Sequence, residues 1–474
     1  HTPSREESLC TARTPSVRPC LGQLVRANRR ELGRKMQPII PEHQRHQHAV
    51  SGRKRQHFLF VLACLGLAIL IVCLLIFGRL WLPSTRPGQH SPPSPIGALS
   101  PTPSPTLVPT STPTISLESR INTYIDHLMP TQQIGQLLML TVYTDRYTSA
   151  LNQPLQQWDI ANAVLYNQYN GGPLMPSTLS AWTQLAHDLQ VHANQPLIIA
   201  TDEEGGDVDR LAPYYGPTPS PQRLAATGDP GAATAQGQLD AQRLLASGIN
   251  TDFAPLVDVY QGGAVDQSRM FGTTPQQVEM YAGAFLDGLE QGSVQGTLKH
   301  WPGIGSASIN PDYGLPTITQ SQAQLNTMDF VPFRVLLTHQ PGMIMVTHVM
   351  VPAYDPSEPA SLSPVLIEQI LRGQLGYQGI VITDAMDGQG LLQFMRQQGY
   401  TDPAQALAEA SVRAILAGDD IVLCPIEPER LAAVVAALTT AVQSGRISPE
   451  RLHQSLYRII ALKVHMGLIS LPDQ

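Results

Sequence analysis

Cysteine is scarce in this chain, with five in 474 residues. Cys10 and Cys20 precede a long apolar run, Cys64 and Cys73 lie inside it, and only Cys424 comes after it. One cysteine cannot close an internal disulfide, so the segment after the run must hold its fold by core burial, which its length permits. Positive charge is also thin beyond the N-terminal tail. The first 56 residues hold 12 Lys and Arg against 4 Asp and Glu, whereas the whole chain carries 30 against 37. The chain beyond the tail is acidic, which argues against nucleic acid as a partner. The acidic residues show no EF-hand spacing, which leaves a calcium reading weak; the chain is expected to work without a metal or organic cofactor.

One long hydrophobic run stands out. Phe58 to Phe77 is a stretch of twenty residues without a charge, long enough to cross a bilayer as a helix. Arg53-Lys54-Arg55 lies immediately before it, which orients the N-terminus to the cytoplasm and the bulk of the chain outside the membrane. A cleaved signal peptide is the competing reading, but no small-x-small processing site comes after the run and Cys64 sits in a poor lipobox context. The expectation is a single-pass, uncleaved membrane anchor over 57–82 behind a basic, disordered cytoplasmic tail over 1–56. The sequence opens on His1, and Met36 is a candidate start, in which case residues 1–35 are not native. Residues 83–116 are dominated by Pro, Ser and Thr and read as an extended stalk. At roughly 3.1 Å per residue it reaches up to about 100 Å from the membrane.

From Leu117 the texture becomes that of a folded domain, 117–474. Eight apolar runs alternate with helical patterns: Leu137 to Val142, Ala161 to Tyr166, Leu197 to Thr201, Thr251 to Leu256, Val294 to Lys299, Gly342 to Thr347, Gly379 to Thr383 and Asp420 to Cys424. Such alternation predicts an α/β fold with a parallel sheet, and eight repeats fit a (β/α)8 TIM-type barrel. Periodicity alone would suit a doubly wound open sheet equally. Arg430 to Gly445 and Pro449 to Met466 read as closing helices, with Ser448 as the N-cap of the second.

The residues able to do chemistry gather where these runs end. Lys299 and His300 open the Gly- and Pro-punctuated loop Trp301-Pro302-Gly303-Ile304-Gly305. Asp384 ends Ile380-Val381-Ile382-Thr383, a position that also suits a helix cap. Thr201-Asp202-Glu203-Glu204-Gly205-Gly206 ends the third run, with Val208-Asp209-Arg210 just beyond it. Arg269 stands in Ser268-Arg269-Met270-Phe271-Gly272, and His348 ends the sixth run. In a parallel barrel the strand ends carry the site, so these segments are expected to converge.

Lys299-His300-Trp301-Pro302-Gly303-Ile304-Gly305, continued by Tyr313-Gly314-Leu315-Pro316, resembles the signature of glycoside hydrolase family 3. It is nearest to the bacterial β-N-acetylhexosaminidase branch, which shows Lys-His-Phe-Pro-Gly-His-Gly, then Asp-Ser-His. The segments around Asp202, Arg269, His348 and Asp384 resemble further motifs of that family, in its order. The resemblance decides for the barrel. It implies Asp384 as the catalytic nucleophile of a retaining glycosidase, since such an enzyme needs a carboxylate at the anomeric carbon. It implies Asp202, Arg210, Arg269, Lys299 and His300 as a clamp on sugar hydroxyls, with His348 lining the site. The implied substrate is a terminal β-linked N-acetylglucosamine on cell-wall fragments or related glycans.

Two positions depart from the family pattern. Asp207 stands where the first Arg of Gly-Gly-Arg is found. More consequentially, Asn310 and Asp312 fall on the Asp and His of the branch's Asp-Ser-His, whose His donates the proton. Asp312 is therefore the expected replacement acid/base. Another loop residue in that role, a sugar-binding pseudoenzyme, and a β-glucosidase-like or phosphorolytic member remain alternatives.

Overall fold

The computed structural model describes residues 116–168, 174–424 and 427–471. Its first helix starts where the stalk composition ends. Ser116 Oγ accepts from the Ser119 N–H at 3.1 Å and opens α1 (Leu117–Asp126), which buries Ile121 and Ile125. A second helix, α2 (Pro130–Gln136), delivers the chain into the first strand. The expected tail, the membrane anchor through 58–77 and the stalk up to residue 115 lie outside the described residues. Among the described residues no helix is long and apolar enough to cross a membrane.

Eight parallel strands close into a barrel, each standing within or beside one of the eight apolar runs. They are β1 (Leu138–Val142), β2 (Asn162–Leu165), β3 (Ile198–Thr201), β4 (Thr251–Asp252), β5 (Gln295–Trp301), β6 (Met343–Val346), β7 (Ile380–Ala385) and β8 (Ile421–Cys424). Pairing of Leu138 with Val422 joins β1 to β8 and shuts the cylinder. Apart from Gln295, Asp384 and Ala385, every strand residue is buried. Burial on both faces is why these strands read as continuous apolar runs and not as alternating ones.

Two expectations shift. The fourth strand stops at Asp252, well short of Leu256, because Pro255 has no N–H to give the ladder; Leu256 keeps only an isolated bridge to Lys299. The fifth runs on past Lys299 to Trp301, so His300 too belongs to the strand and not to the loop after it. Two short hairpins, Glu203–Gly205 with Val208–Asp209 and Met350–Val351 with Asp355–Pro359, rise from the ends of β3 and β6.

Helices cover the cylinder. α3 (Pro230–Ala246) and α4 (Pro275–Gln291) cross in close contact at two glycines. A Cβ on Gly237 would lie 2.3 Å from the Phe285 carbonyl oxygen, and one on Gly288 equally close to that of Thr234. α5 (Gln389–Gln397) comes after β7, and α6 (Pro428–Gln443) and α7 (Pro449–His465) close the fold. Ser448 caps α7 by accepting from the Arg451 N–H at 3.2 Å. At the opposite end from the candidate residues, Asp420 accepts from Arg372 (2.7 Å), Arg458 (2.9 Å) and the Val381 N–H (3.0 Å). The fully buried Lys463 donates to Gln136 Oε1, Ala161 O and Pro196 O. That face is built for stability, as the barrel architecture leads one to expect.

Candidate active site

The C-terminal ends of the strands surround a cleft of about 690 Å³, into which Thr141, Tyr166, Asp202, Lys299, His300 and Asp384 project from five different strands or the turns just after them. The loops add Glu204, Arg210, Arg269 and Asp312 to the same wall. Of the expected residues, all but His348 line this one cleft.

Its charged floor is centred on Glu204. Arg269 engages that carboxylate through two bonds, Nε to Oε2 and Nη2 to Oε1, both at 2.8 Å. Lys299 Nζ sits 2.7 Å from Glu204 Oε1 and 2.6 Å from Asp202 Oδ1. Burial alone would raise the Glu204 carboxyl, but Arg269 and Lys299 overcome it and hold the group well below the usual carboxylate range. Burial likewise pulls the Lys299 ammonium down, and Asp202 and Glu204 more than reverse this. Two cations and two anions thus fix one another in the wall of the cleft. Glu204 is not among the residues expected from the sequence, although a carboxylate run at a strand end is the available signal. Glu204→Gln removes the central charge and leaves Arg269 and Lys299 with one carboxylate between them. We expect a loss of roughly 3 kcal/mol in chemical denaturation, the scale for breaking a buried ion pair from one side.

His300 is positioned by a second carboxylate that the sequence does not single out. Asp258 is buried and accepts from His300 Nδ1 at 2.8 Å and from the Ile304 N–H at 2.9 Å. The carboxylate demands the proton on Nδ1, so Nε2 is the ring nitrogen left for another partner. A lone Asp inside Leu256-Val257-Asp258-Val259 is the only hint in the sequence. Trp301 packs behind the strand against Phe330 and Phe333, with ring centroids 4.7 and 5.1 Å away, and holds the strand end from outside the barrel.

Asp384 stands at the end of β7. Its Oδ2 accepts from Thr347 Oγ1 at 3.1 Å and its Oδ1 from the Ala385 N–H at 2.8 Å. Burial would push this carboxyl up, but the His300 and His348 rings, the Ala385 N–H and Lys299 outweigh it, so the group lies below the usual range and is ionised. His348 differs from expectation. It does not line the cleft: its Nε2 donates to the Ala385 carbonyl at 3.0 Å and its Nδ1 accepts from Ser361 Oγ at 2.7 Å. With both nitrogens engaged and the ring buried, it has nothing left for a sugar; it supports the Asp384–Ala385 backbone from behind.

Asp312 lines the same cleft as Asp384, from the loop after β5. Its side chain is exposed to solvent where it lines the cleft. Burial, and then the charge of Asp384, raise its carboxyl above the usual range, with His300, Arg269 and Asn310 pulling the other way. The two carboxyls are therefore displaced in opposite directions, one toward the anion and the other toward the acid. Pairs pushed apart in this way divide nucleophile from proton donor. Arg210 also lines the cleft, with its guanidinium 5.4 Å from the Tyr166 ring, itself stacked on Tyr143 at 5.1 Å. Asp207, at the turn of the first hairpin, is exposed and outside the cleft wall.

A closed (β/α)8 barrel with two carboxyls, Asp384 and Asp312, and a cationic cluster in the cleft at its C-terminal mouth defines a glycosidase-type site. Residues 130–462 match the glycosyl hydrolase family 3 N-terminal domain, and the chain belongs to that family. It is 29% identical over 347 residues to β-hexosaminidase A of Pseudoalteromonas piscicida, an alignment covering 67% of this chain and 55% of that protein. It is 34% identical over 319 residues to the β-hexosaminidase LpqI of Mycobacterium tuberculosis, covering 64% and 78% respectively. Among solved structures, a family 3 β-N-acetylglucosaminidase from Paenibacillus superimposes with a TM-score of 0.65 at 30% identity, over 73% of this chain and 64% of that one. The chain thus spans little more than half of the first of these relatives.

Proposed function

We propose that this chain is a retaining glycosidase that removes terminal β-linked N-acetylhexosamine, N-acetylglucosamine above all, from cell-wall fragments or related glycans. The observation that carries this reading is a pair of carboxyls in one cleft, Asp384 at a strand end with its carboxyl lowered and Asp312 on a loop with its carboxyl raised, beside Lys299 and Arg269. In the first step Asp384 Oδ attacks the anomeric carbon, the glycosidic C–O bond breaks, and Asp312 gives its proton to the departing oxygen. In the second, Asp312 takes a proton from water as that water displaces Asp384 and regenerates its carboxylate. Asp202, Arg269, Lys299 and His300 hold the sugar hydroxyls and Arg210 adds a donor; bonds of this kind can tighten as positive charge develops on the ring. The uncharged run 58–77 behind a basic cluster supports a single-pass membrane protein with this domain outside the cytoplasm.

The test is an assay of the purified protein on nitrophenyl β-N-acetylglucosaminide beside nitrophenyl β-glucoside, with and without inorganic phosphate. Release from the first substrate, indifferent to phosphate, is expected. Preference for the glucoside would move the substrate class. Phosphate-dependent turnover would make the protein a phosphorylase, and sugar binding without release from either would make it a pseudoenzyme.

A further inference from the structure

Helix α5 begins five residues after Asp384, and its N-terminus lacks a side-chain cap, because Gly388 stands at the cap position. The first N–H groups of a helix need acceptors from outside it. Here the loop bearing Asp312 supplies them: the Gln389 N–H donates to the Asp312 carbonyl at 3.2 Å and the Gly390 N–H to that of Pro311 at 3.1 Å. One turn further on, Gln393 Oε1 accepts from the Leu315 N–H at 3.2 Å.

The loop is itself preformed. Pro311 holds the second position of a tight turn closed by the Tyr313 N–H on the Asn310 carbonyl at 2.9 Å. Asn310 Oδ1 accepts from the Asp312 N–H at 3.0 Å, the bond Asn makes to the backbone two residues on. Its lower end is pinned as well, by the Ile318 N–H on the Met350 carbonyl at 2.8 Å and the Met350 N–H on that of Pro316 at 2.9 Å. Docking needs the absence of a side chain at 390. A Cβ there would meet the Gly314 carbonyl oxygen at 2.7 Å and the Pro311 carbonyl oxygen at 2.9 Å, both backbone atoms that cannot swing aside.

We infer that Gly390 and Gln393 are positioning residues which clamp the Asn310–Pro311–Asp312 turn onto the start of α5 and so set the separation between Asp312 and Asp384. The nucleophile strand and the acid/base loop thereby move as one body, and the proton donor is held in place before substrate arrives. The inference rests on Asp312 being the acid/base.

Gly390→Ala and Gln393→Ala test it, beside Asp312→Ala and with Gln393→Glu as the conservative variant that keeps an acceptor for Leu315. Gly390→Ala is expected to lower kcat on an N-acetylglucosaminyl disaccharide by tenfold or more, a part of the roughly 10²–10⁴ that a placed general acid contributes. Formation of the glycosyl-enzyme from a dinitrophenyl glycoside, read as the burst of dinitrophenolate, should change less than about threefold, since that group leaves without acid help. The alkaline limb of the pH profile should move to lower pH, because an undocked Asp312 loses the burial and the Asp384 charge that raise it. Gln393→Ala should show the same pattern more weakly, and Gln393→Glu should restore it; this pair decides the matter if Gly390→Ala does not fold. Equal losses on both substrates, or an unmoved alkaline limb in folded variants, overturn the clamp while leaving Asp312 as acid/base. If Asp312→Ala itself shows no dependence on the leaving group, the acid/base reading falls, and the clamp falls with it.

Discussion

Asp384→Asn lowers kcat by roughly 10⁴-fold or more with the fold unchanged, because the glycosyl-enzyme can form only from an attacking carboxylate oxygen. The surroundings tolerate the amide. Asn Oδ1 can keep the Ala385 N–H, and the Thr347 hydroxyl can turn to accept from the new NH₂ group where it now donates to Oδ2. Burial opposes the charge at this position, but the neighbouring side chains and the Ala385 N–H more than offset it and hold the carboxyl below its ordinary value, so the charge favours the folded state and its removal costs some stability. The mutant should still unfold in one cooperative transition, shifted modestly toward lower stability at neutral pH, while turnover differs by orders of magnitude. A 2-fluoro glycoside should label the wild type at Asp384 and leave the mutant unmodified. Label on another residue, or turnover in the mutant close to wild type, would remove Asp384 from its role.

Asp312→Ala has the second-largest effect, and its size depends on the leaving group. A sugar hydroxyl is a poor leaving group, so cleavage of a natural disaccharide should fall by about 10²–10⁴, whereas formation of the glycosyl-enzyme from a dinitrophenyl glycoside should be largely spared. Hydrolysis of that intermediate also loses its base, so the mutant accumulates it. Azide, which attacks without base help, should restore turnover and yield the glycosyl azide. The wild-type profile should be a bell with apparent values belonging to the pair. Activity rises as Asp384 ionises, at a pH below the usual carboxylate range. It falls as Asp312 loses its proton, at a pH raised from the ordinary carboxylate value by desolvation and by the charge of Asp384. In Asp312→Ala the alkaline limb should disappear. Equal loss on every substrate without azide rescue would make Asp312 a structural residue of the loop.

Much of the architecture is visible in the residues alone. The eight apolar runs coincide with the eight barrel strands because a strand covered on both faces must be apolar throughout. The Ser448 cap and the start of the folded domain at Leu117 are local matters, decided by a hydroxyl or a change of composition within a few residues. Asp202, Lys299, His300 and Asp384 are recognisable for the same reason: strand ends are marked in sequence, and the topology sends strand ends to one rim.

The features left open by the sequence depend on partners distant in the chain. A closed barrel and an open sheet share one periodicity, and only the pairing of Leu138 with Val422 separates them. Glu204 and Asp258 look like ordinary acidic residues until Arg269, Lys299 and His300 are brought against them from 42 to 95 positions away; it is that burial among cations and donors which makes them structural keystones of the site. His348 looks like a ligand in its motif, but Ser361 and Ala385 occupy both of its nitrogens. The character of Asp312 obeys the same rule. Its residue type is legible as that of an acid, but its raised carboxyl depends on the mass of protein around it and on the charge of Asp384, 72 positions on in the sequence. Local propensity and pattern act over a few residues and are written in the chain directly, whereas desolvation and Coulomb interaction depend on distances that exist only once the barrel has closed.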